Sequence, residues 1–583
     1  MRPVSDTAFI VTSPLPVTAG LGVDDLAVAV VADAIARRTA AATGTEASVH
    51  LPALLGDRAA VLALERAGRP VSDLAAFEVA RAAQVDEQLA ALNVSSRVSD
   101  EGMRARVGDA ATVAFVRLYD QGLVDEIEIV VATCPSCATV VDGADAEPGT
   151  VEADVLDIAV AWGDGRHEQE LLVPVVAPEL LAGATAVAVP VDHPAAGGTV
   201  MLPFGRGRVP VVAETGRVEP SVVVPAHSRD GHDLALLHGL DAPAVLGPDG
   251  VVVAGGPLAG LSRYAARQAA RDLVEAEGAV LAVMPGEEEV ERCRHCGSTT
   301  VPVLGRHWAL RGGRLEVAAA DAVRDGLVTF VPADAREAFL AIAIAVADWP
   351  GRRSSASAAR PSSASAVWCL DRTVAGGVPL PVATCVDCGR VSVDATPSST
   401  CGTCLGELRA SDRTFDPRFV AAFWPLAIAG WPRPARAAPP AIAVVTPAAT
   451  TTWLLPALAL ARHFTGELPI GSVVVHPPNG WPEGTALTPD VEGEDIDERA
   501  FRLALLAGDL DVDAHGALDA LEHARGDDPD VADAVEAAAA ELDEGGSGPA
   551  QATALLLAAL GTGVRAADID RARQVAAPFL GEG

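Results

Sequence analysis

Four cysteine pairs with the spacing C-x-x-C constrain the fold of this chain more than any other feature. They contain eight of its nine cysteines, and two of the pairs are separated by only 12 residues. Zn²⁺ prefers four tetrahedral ligands, and two such pairs close in sequence supply them. We therefore predict a zinc ribbon here and a remaining thiol at Cys369. The predicted ligands of the ribbon are Cys385, Cys388, Cys401 and Cys404.

A strand, a turn and a helix open the chain. Residues 8–12 form a short apolar run of strand type, and residues 14–22 form a turn rich in proline and glycine. Residues 26–42 are rich in alanine and valine and contain no helix breaker, which predicts a helix. This order is typical of a parallel α/β unit, in which the helix N-terminus favours a phosphate group.

The chain is strongly acidic. Its formal net charge is −35, from 43 basic and 78 acidic residues, and it contains no lysine. Phosphate binding is driven by cations and counterion release, so this composition argues against nucleic acid unless arginines cluster on one face. No signal peptide or membrane-spanning stretch is evident, and C-x-x-C pairs indicate metal more than disulfides. We expect a cytoplasmic protein with no membrane partner.

The turn at residues 14–21, P-L-P-V-T-A-G-L, resembles the opening of the class I aminoacyl-tRNA synthetases of the valine, isoleucine and leucine group. The family pattern is P-P-N-V-T-G-x-L-H-I-G-H, whose histidines contact the phosphates of ATP. Carboxylates at this helix start suit the helix dipole. They repel a triphosphate by about 3 kcal/mol per charge pair at about 6 Å and an effective dielectric of about 20. The positions of H-I-G-H hold Gly22, Val23, Asp24 and Asp25.

Two further segments are most similar to the valine enzymes. Residues 114–123 read A-F-V-R-L-Y-D-Q-G-L, close to the family's A-F-V-x-L-Y-x-x-G-L. Residues 415–432 align with D-T-W-F-S-S-A-L-W-P-F-S-T-L-G-W-P. In the first segment we expect a core helix that ends at Gly122. Three positions of the family's cleft, Thr18, Asp416 and Trp424, are the implied ligand-binding residues.

The family also has a C-P-x-C pair, which Cys134 and Cys137 match. Their expected partners are Cys293 and Cys296, after 155 intervening residues. Together the four would form a second structural zinc site, with an insertion leaving from it. Two unlinked thiol pairs are the alternative.

Residues 150–275 contain short valine-rich strands, which predicts a mostly β insertion. The insertion resembles the family's editing domain, which hydrolyses mischarged tRNA. Its first motif keeps Pro178, Glu179 and Gly183 but has lost the paired threonines and the arginine.

The second editing motif, P-A-H-D-x-x-D, keeps His227 and has Ser228 and Gly231 in place of both aspartates. Asp230 or Asp233 would replace them only with a change of register. We expect His227 to be a packed histidine, with catalysis as the alternative.

A helix predicted from Leu261 to Glu277 carries Arg263, Arg267 and Arg271 on one face, because residues four apart are helix neighbours. A solvated face and a phosphate-binding stripe are both compatible with this pattern.

Residues 480–498 stand where the family has the cationic K-M-S-K-S loop, and here they are acidic. Residues 351–366 are of low complexity and predict a mobile loop. Residues 50–62 predict a small apolar turn. After Leu505, 78 residues predict a reduced helical domain, where the family has a larger anticodon-binding bundle.

The resemblance implies an α/β fold, with a Rossmann-type catalytic domain split by an editing-like β insertion, two zinc sites and a short C-terminal helical domain. The expected divisions are 1–148 and 411–500 for the catalytic halves, 149–280 for the insertion, 281–410 for its second half with the ribbon, and 501–583 for the C-terminal domain.

We interpret the sequence as a valyl-tRNA synthetase-like protein that binds or regulates and does not catalyse, with no catalytic residue assigned. An active divergent ligase using ATP and Mg²⁺ is the first alternative, and a structural zinc scaffold is the second. An amino acid, a nucleotide or a protein is the expected partner, and the charge argues against tRNA.

Overall fold

The computed structural model describes most of the chain up to residue 476. The described residues are 8–15, 21, 23–43, 47–53, 58–96, 101–141, 145–163, 168–203, 207–347, 367–374, 376–396, 398–433 and 441–476. The predictions made for residues 351–366, for residues 480–498 and for the C-terminal domain lie outside them.

Strands and helices alternate at both ends of the described chain, and strands dominate its middle. The strands are β1 Ala8–Thr12, β2 Ala47–His50, β3 Val124–Cys134, β4 Thr139–Val140, β5 Ala146–Gly163, β6 Glu168–Val175, β7 Ala186–Pro190, β8 Thr199–Leu202, β9 Gly207–Glu214, β10 Ser221–Val223, β11 Val280–Cys293, β12 Val301–Arg311, β13 Thr329–Val331, β14 Val367–Cys369, β15 Asp371–Arg372, β16 Val382–Cys385, β17 Val391–Val393, β18 Leu408–Ala410, β19 Thr414–Phe415, β20 Ala441–Val445 and β21 Ile470–Val475.

The helices are α1 Val23–Thr43, α2 Arg58–Arg66, α3 Leu74–Ala91, α4 Glu101–Asp120, α5 Arg229–His238, α6 Arg263–Ala276, α7 Arg314–Arg324, α8 Ala333–Ala347, α9 Pro417–Ala422, α10 Trp424–Ile428, α11 Pro447–Ala449 and α12 Leu455–Thr465. A π-helical turn, Thr450–Leu454, joins α11 to α12. The helix α2 corrects the sequence interpretation, which expected only a turn at residues 50–62.

The chain forms two compact units, of which the first comprises Met1–Gln121, Gly312–Ala347 and Val374–Gly583. Its centre is a sheet of five parallel strands in the order β13-β21-β20-β1-β2. Residues 26–34 of α1 are buried and pack on this sheet. The nearly continuous apolar sequence of α1 is therefore explained by burial on all but its polar edge. The α/β class expected from the sequence is confirmed.

An aromatic cluster in the first unit joins the two segments that most resemble the valine enzymes. The ring of Phe115 on α4 lies 5.3 Å from that of Phe415, measured between centroids. From Phe415 the contacts continue through Phe419 and Phe423 to Trp431. Edge-to-face and offset ring pairs of this kind stabilise a core beyond the burial of area alone. These fingerprint residues form core, as expected.

The second unit comprises Gly122–Arg311 and Asp348–Thr373. A four-stranded sheet, β14-β12-β3-β4, and a seven-stranded sheet form it, the latter in the order β10-β7-β9-β8-β5-β11 with β6 paired to β5. Long antiparallel ladders, β3 with β12 and β5 with β11, carry the chain out and back. The insertion is thus mostly β, as predicted. The division of the chain into domains at residues 148, 280, 410 and 500 stays a prediction.

The three arginines of α6 bind carboxylates, and for Arg263 and Arg267 this corrects the expectation of a solvated face. Glu179 is fully buried, and its Oε1 accepts hydrogen bonds from Arg263 Nε at 3.2 Å and Arg267 Nη2 at 2.6 Å. Glu288 pairs with the same two arginines, whereas Arg271 pairs with the exposed Asp154. These arginines therefore neutralise charge within the insertion.

No helix in the part of the chain that the structure describes is long and apolar enough to cross a membrane.

We expect Glu179→Gln to destabilise the second unit by about 3–5 kcal/mol, because it leaves two largely buried guanidinium groups short of a carboxylate. Urea unfolding followed by tryptophan fluorescence measures the change. Asp154→Asn removes one negative charge from the half-exposed pair with Arg271, and it should leave the midpoint nearly unchanged. Equal midpoints for the two variants would contradict the assignment of a buried network.

Candidate functional site

The strand order of the parallel sheet reverses between β1 and β20, and a crevice is expected at such a switch point. The chain leaves β1 through α1 to β2 on one side, and it leaves β20 through α12 to β21 on the other. Ligands of open α/β sheets bind outside the carboxyl ends of the strands at such a reversal. Thr12 and Val445 end the two strands, and the backbone N–H of Ser13 donates to Val444 O at 3.0 Å.

Two helices begin at this edge of the sheet. The first turn of α1 contains Asp24 and Asp25. The helix that follows β20 is capped by Thr446, whose hydroxyl oxygen accepts a hydrogen bond from the backbone N–H of Ala449 at 3.3 Å. Helix N-termini attract anions. However, the first turn of α1 carries two carboxylates, and the first turn of the helix that follows β20 carries no charged side chain.

Of the three residues assigned to the family's cleft, Thr18 lies outside the described residues. Asp416 is fully buried and caps α9: its Oδ1 accepts from the backbone N–H of Arg418 at 2.8 Å and lies 3.4 Å from Arg418 Nε. Trp424 begins α10 and is 3% exposed, and its indole N–H has no hydrogen-bond partner among the described residues. Buried donors without a partner are rare.

The structure brings together Cys134, Cys137, Cys293 and Cys296, whose sulfurs all lie within 4.8 Å of one another. The sulfurs of Cys134 and Cys296 are 3.4 Å apart, and those of Cys137 and Cys293 are 3.9 Å apart. A tetrahedron with Zn–S bonds of about 2.3 Å has edges of about 3.8 Å, whereas a disulfide measures about 2.05 Å. The donor set fits a zinc ion.

The ribbon cysteines form a second cluster of the same kind. The sulfurs of Cys385 and Cys404 are 3.4 Å apart, and those of Cys388 and Cys401 are 3.8 Å apart. All four lie within 4.8 Å of one another. The strands β16, β17 and β18 hold the cluster.

Ionisation within the first cluster is unequal. A hydrogen bond from Cys293 lowers the pKa of Cys134 to about 5, whereas burial raises the pKa of Cys137 to about 12. One thiolate thus forms at the expense of its neighbours, because four negative charges within a few ångströms repel each other. A divalent cation supplies the positive charge that lets all four sulfurs ionise.

The editing-like residues that the sequence retains have packing roles. Gly183 is closely surrounded: an added Cβ would lie 2.5 Å from a methyl group of Val245 and 3.1 Å from Pro243 O. Glu179 forms ion pairs with arginines of α6. Pro178 is buried at the start of the helical turn Pro178–Gly183, which also contains Glu179 and Gly183. Ser228 caps α5 by accepting a hydrogen bond from the backbone N–H of Gly231 at 3.1 Å.

Both ring nitrogens of His227 bind the backbone. Its Nε2 accepts from the N–H groups of Val245 and Leu246 at 2.9 and 3.1 Å, so Nδ1 carries the proton and donates to Pro302 O at 2.7 Å. Burial lowers the pKa of His227 below the ordinary value of 6.5. The side chain is therefore a packed, neutral histidine, as expected.

Sequence reasoning missed one group of side chains. His307 of β12, Cys369 of β14 and Asp371 of β15 come together, with donor atoms within 4.8 Å of one another. Cys369 was assigned only as a leftover thiol. The alternating patterns His307-x-Ala309 and Cys369-x-Asp371 on paired strands were the available signal.

A parallel α/β sheet with a switch-point crevice, a β insertion and two four-cysteine clusters is the arrangement that the resemblance to class I aminoacyl-tRNA synthetases implies. No family model matches the chain. Its curated relatives are valine–tRNA ligases, so the resemblance seen in the sequence is confirmed.

The valine–tRNA ligase of Symbiobacterium thermophilum is 27% identical over 412 residues, which are 68% of this chain and 43% of that protein. The enzyme of Geobacter sulfurreducens is 28% identical over 419 residues, 68% of this chain and 42% of that protein. That of Streptomyces coelicolor is 29% identical over 57% of this chain and 36% of that protein. The matches therefore span less than half the length of these relatives.

Two kinds of solved structure align with the chain over nearly its whole length. One is a LeuRS–tRNA–LeuAMS complex from Agrobacterium radiobacter, with a TM-score of 0.47 and 13% identity over 99% of this chain and 84% of that one. The other is Mycobacterium tuberculosis methionyl-tRNA synthetase with methionyl-adenylate, with a TM-score of 0.47 and 12% identity over 98% and 92%. Similarity at this level does not bear on function.

We expect the stability of the second unit to fall as the pH drops below about 6.5. The imidazole of His227 then binds a proton in the unfolded chain, whereas the buried imidazole of the folded protein does not. Above that pH the histidine is neutral in both states and the stability is fully present. Urea unfolding between about pH 7.5 and 5.5 measures the slope. His227→Gln should flatten it, whereas the exposed His238→Gln should not. An unchanged slope in His227→Gln would contradict the assignment.

Proposed function

We propose that this protein is a valyl-tRNA synthetase-like binding or regulatory protein that does not form aminoacyl adenylate. The observation that carries the proposal is the pair of carboxylates, Asp24 and Asp25, in the first turn of α1 at the switch-point crevice. In the family this turn supplies cationic or neutral histidines to the triphosphate.

Electrostatics oppose a triphosphate in this crevice. Each carboxylate about 6 Å from a phosphate charge costs about 3 kcal/mol at an effective dielectric of about 20. The helix that follows β20 adds no positive charge at its start, since residues 446–461 contain no charged side chain. The acidic sequence of residues 480–498, in place of a cationic loop, acts in the same direction.

The competing function is a working ligase with a divergent pocket that uses ATP and Mg²⁺. The unpartnered indole N–H of Trp424 favours it, because a bound amino acid or nucleotide would satisfy this donor. Asp416 favours it less, since its carboxylate already caps α9 and contacts Arg418. In the binding protein that we propose, the same donor serves an amino acid or a nucleotide that lacks a triphosphate.

Transfer RNA is not the partner that we propose. A chain with net charge −35 and no lysine attracts few phosphates, and counterion release contributes correspondingly little. A protein partner is compatible with the charge.

We further propose that both four-cysteine clusters hold structural zinc. Their role is to fix the ends of β3 and β11 in one unit and the three short ribbon strands in the other. A protein that only scaffolds a partner through these sites is the third candidate function.

The first expected result is the absence of ATP–pyrophosphate exchange with valine or any other amino acid in the zinc-loaded protein. The physical reason is the repulsion between the crevice carboxylates and the triphosphate. Radiolabelled pyrophosphate incorporation measures exchange, with an active valine–tRNA ligase as the positive control. Exchange with any amino acid would overturn the proposal and favour the ligase.

The carboxylates themselves are tested by the double variant Asp24→Asn, Asp25→Asn, which should bind ATP more tightly by roughly tenfold or more. The matched control, Glu87→Gln with Asp109→Asn, removes the same charge from exposed positions on α3 and α4. Equal gains in the two double variants would show that only net charge is involved.

Zinc binding should depend on each cluster separately. We expect Cys404→Ser to lose one zinc ion per chain, because three sulfur ligands hold zinc far less tightly than four. Metal analysis by mass spectrometry after gel filtration counts the ions. The neighbouring Thr403→Ser removes no ligand and should keep the full count. An unchanged count in Cys404→Ser would refute zinc at the ribbon.

A further inference from the structure

Three donor side chains lie together beside the paired strands β12 and β14. The antiparallel register of β12 with β14 places Ala309 opposite Cys369, and Asp371 follows two residues later at the start of β15. A hydrogen bond of 2.8 Å from Leu370 N to Trp308 O continues this ladder. Because side chains alternate along a strand, His307 lies on the same face as Ala309 and therefore as Cys369.

Their distances match those between ligands of one metal ion. His307 Nδ1 lies 3.2 Å from Asp371 Oδ2, and Cys369 Sγ lies 3.7 Å from Asp371 Oδ1. Around tetrahedral zinc the expected separations are about 3.4 Å between nitrogen and oxygen and about 3.6 Å between sulfur and oxygen. The third pair, His307 with Cys369, lies within 4.8 Å.

Neighbouring groups orient two of the three donors. The backbone N–H of Trp308 donates to Asp371 Oδ1 at 2.8 Å, which fixes the carboxylate. A Cβ at residue 305 would lie 2.9 Å from His307 Nε2, so Gly305 leaves the space that this ring occupies. Ala309 keeps the same face open beside them. Outer contacts of this kind orient metal ligands.

The site is largely buried. The side chain of Asp371 is 3% exposed, and Cys369 is 2% exposed. Arg372 donates to the backbone carbonyls of Cys369 and Asp371, at 3.2 and 2.9 Å. Cys369 Sγ donates to Asp371 Oδ1, and a divalent ion that coordinates both groups would replace this shared proton.

We propose that His307, Cys369 and Asp371 form a third metal site that binds Zn²⁺, separate from the two four-cysteine clusters. Imidazole, thiolate and carboxylate are all zinc ligands. Three protein ligands leave a fourth position to water or to a small ligand, the layout of exchangeable rather than closed zinc sites. His307 is 15% exposed and forms the solvent side.

The competing explanation is a hydrogen-bonded His307–Asp371 pair with Cys369 as packing. This explanation predicts no metal at the site. The number of metal ions bound per chain therefore distinguishes it from the proposed zinc site.

The experiment compares zinc content in full-length protein that has been stripped, reloaded with ZnCl₂ and gel-filtered. We expect three ions per chain in the wild type, and one fewer in both Cys369→Ser and His307→Ala. The variant Arg306→Ala, at the exposed neighbour of His307, should keep the wild-type count. A wild type with no more ions than Cys369→Ser and His307→Ala would overturn the proposal.

Cobalt gives a second measurement. The two four-cysteine clusters also give thiolate-to-cobalt absorption, so the expected result is a loss of part of this absorption in Cys369→Ser, and the same loss when Cys369→Ser is introduced into the Cys404→Ser variant. Gly305→Ala, which displaces the His307 ring without removing a ligand, should weaken Co²⁺ binding at least tenfold in titrations.

If the two clusters bind no zinc, the wild type holds one ion and Cys369→Ser holds none. The two proposals can therefore fail separately. Circular dichroism of each variant identifies misfolding, and an intact variant with unchanged cobalt spectra would refute the site.

Discussion

The parallel pairing of β1 with β20 is the constraint on which the rest of the structure depends. It joins Ile10 to Ile442, so it closes a loop of more than 400 residues, of whose described strands only β2 and β13 return to the same sheet before β20. Closing so long a loop costs entropy that local contacts within the loop have to offset. The β5–β11 ladder and the cysteines at the ends of β3 and β11 do this, because they close the insertion onto itself as a separate compact unit.

Sequence patterns predicted the local elements and the ribbon cluster, and the family resemblance predicted the pairing of Cys134 and Cys137 with Cys293 and Cys296. Other long-range contacts lay beyond both. The apolar run at residues 8–12 and the spacing of the C-x-x-C pairs are local signals. The partners of Arg263 and Arg267 are not local, since Glu179 lies more than 80 residues away and its burial is known only from the fold. The group around Cys369 was missed for the same reason: His307 joins it only through the register of β12 and β14.

The retained editing-like residues show that a motif can be kept for its role in packing, so its presence is not evidence of catalytic activity. Gly183 cannot accept a side chain without a clash, and His227 satisfies three backbone groups of neighbouring segments. Either residue would be kept by stability alone, because replacing it costs packing or leaves buried polar groups unpaired. The positions that changed, such as Ser228, are those where another residue can serve the fold, here as a helix cap.

Negative charge predominates both at the start of α1 and over the whole chain. The buried carboxylates Asp33, Glu179 and Asp416 each contact arginine, the chain's one strongly basic residue type. Arginine suits this role because its planar group donates to several oxygens at once. Every arginine that neutralises an internal carboxylate is one fewer for a phosphate. The net charge of −35 and the two carboxylates in the first turn of α1 therefore act in the same direction, since both weaken the attraction of the protein for polyanions.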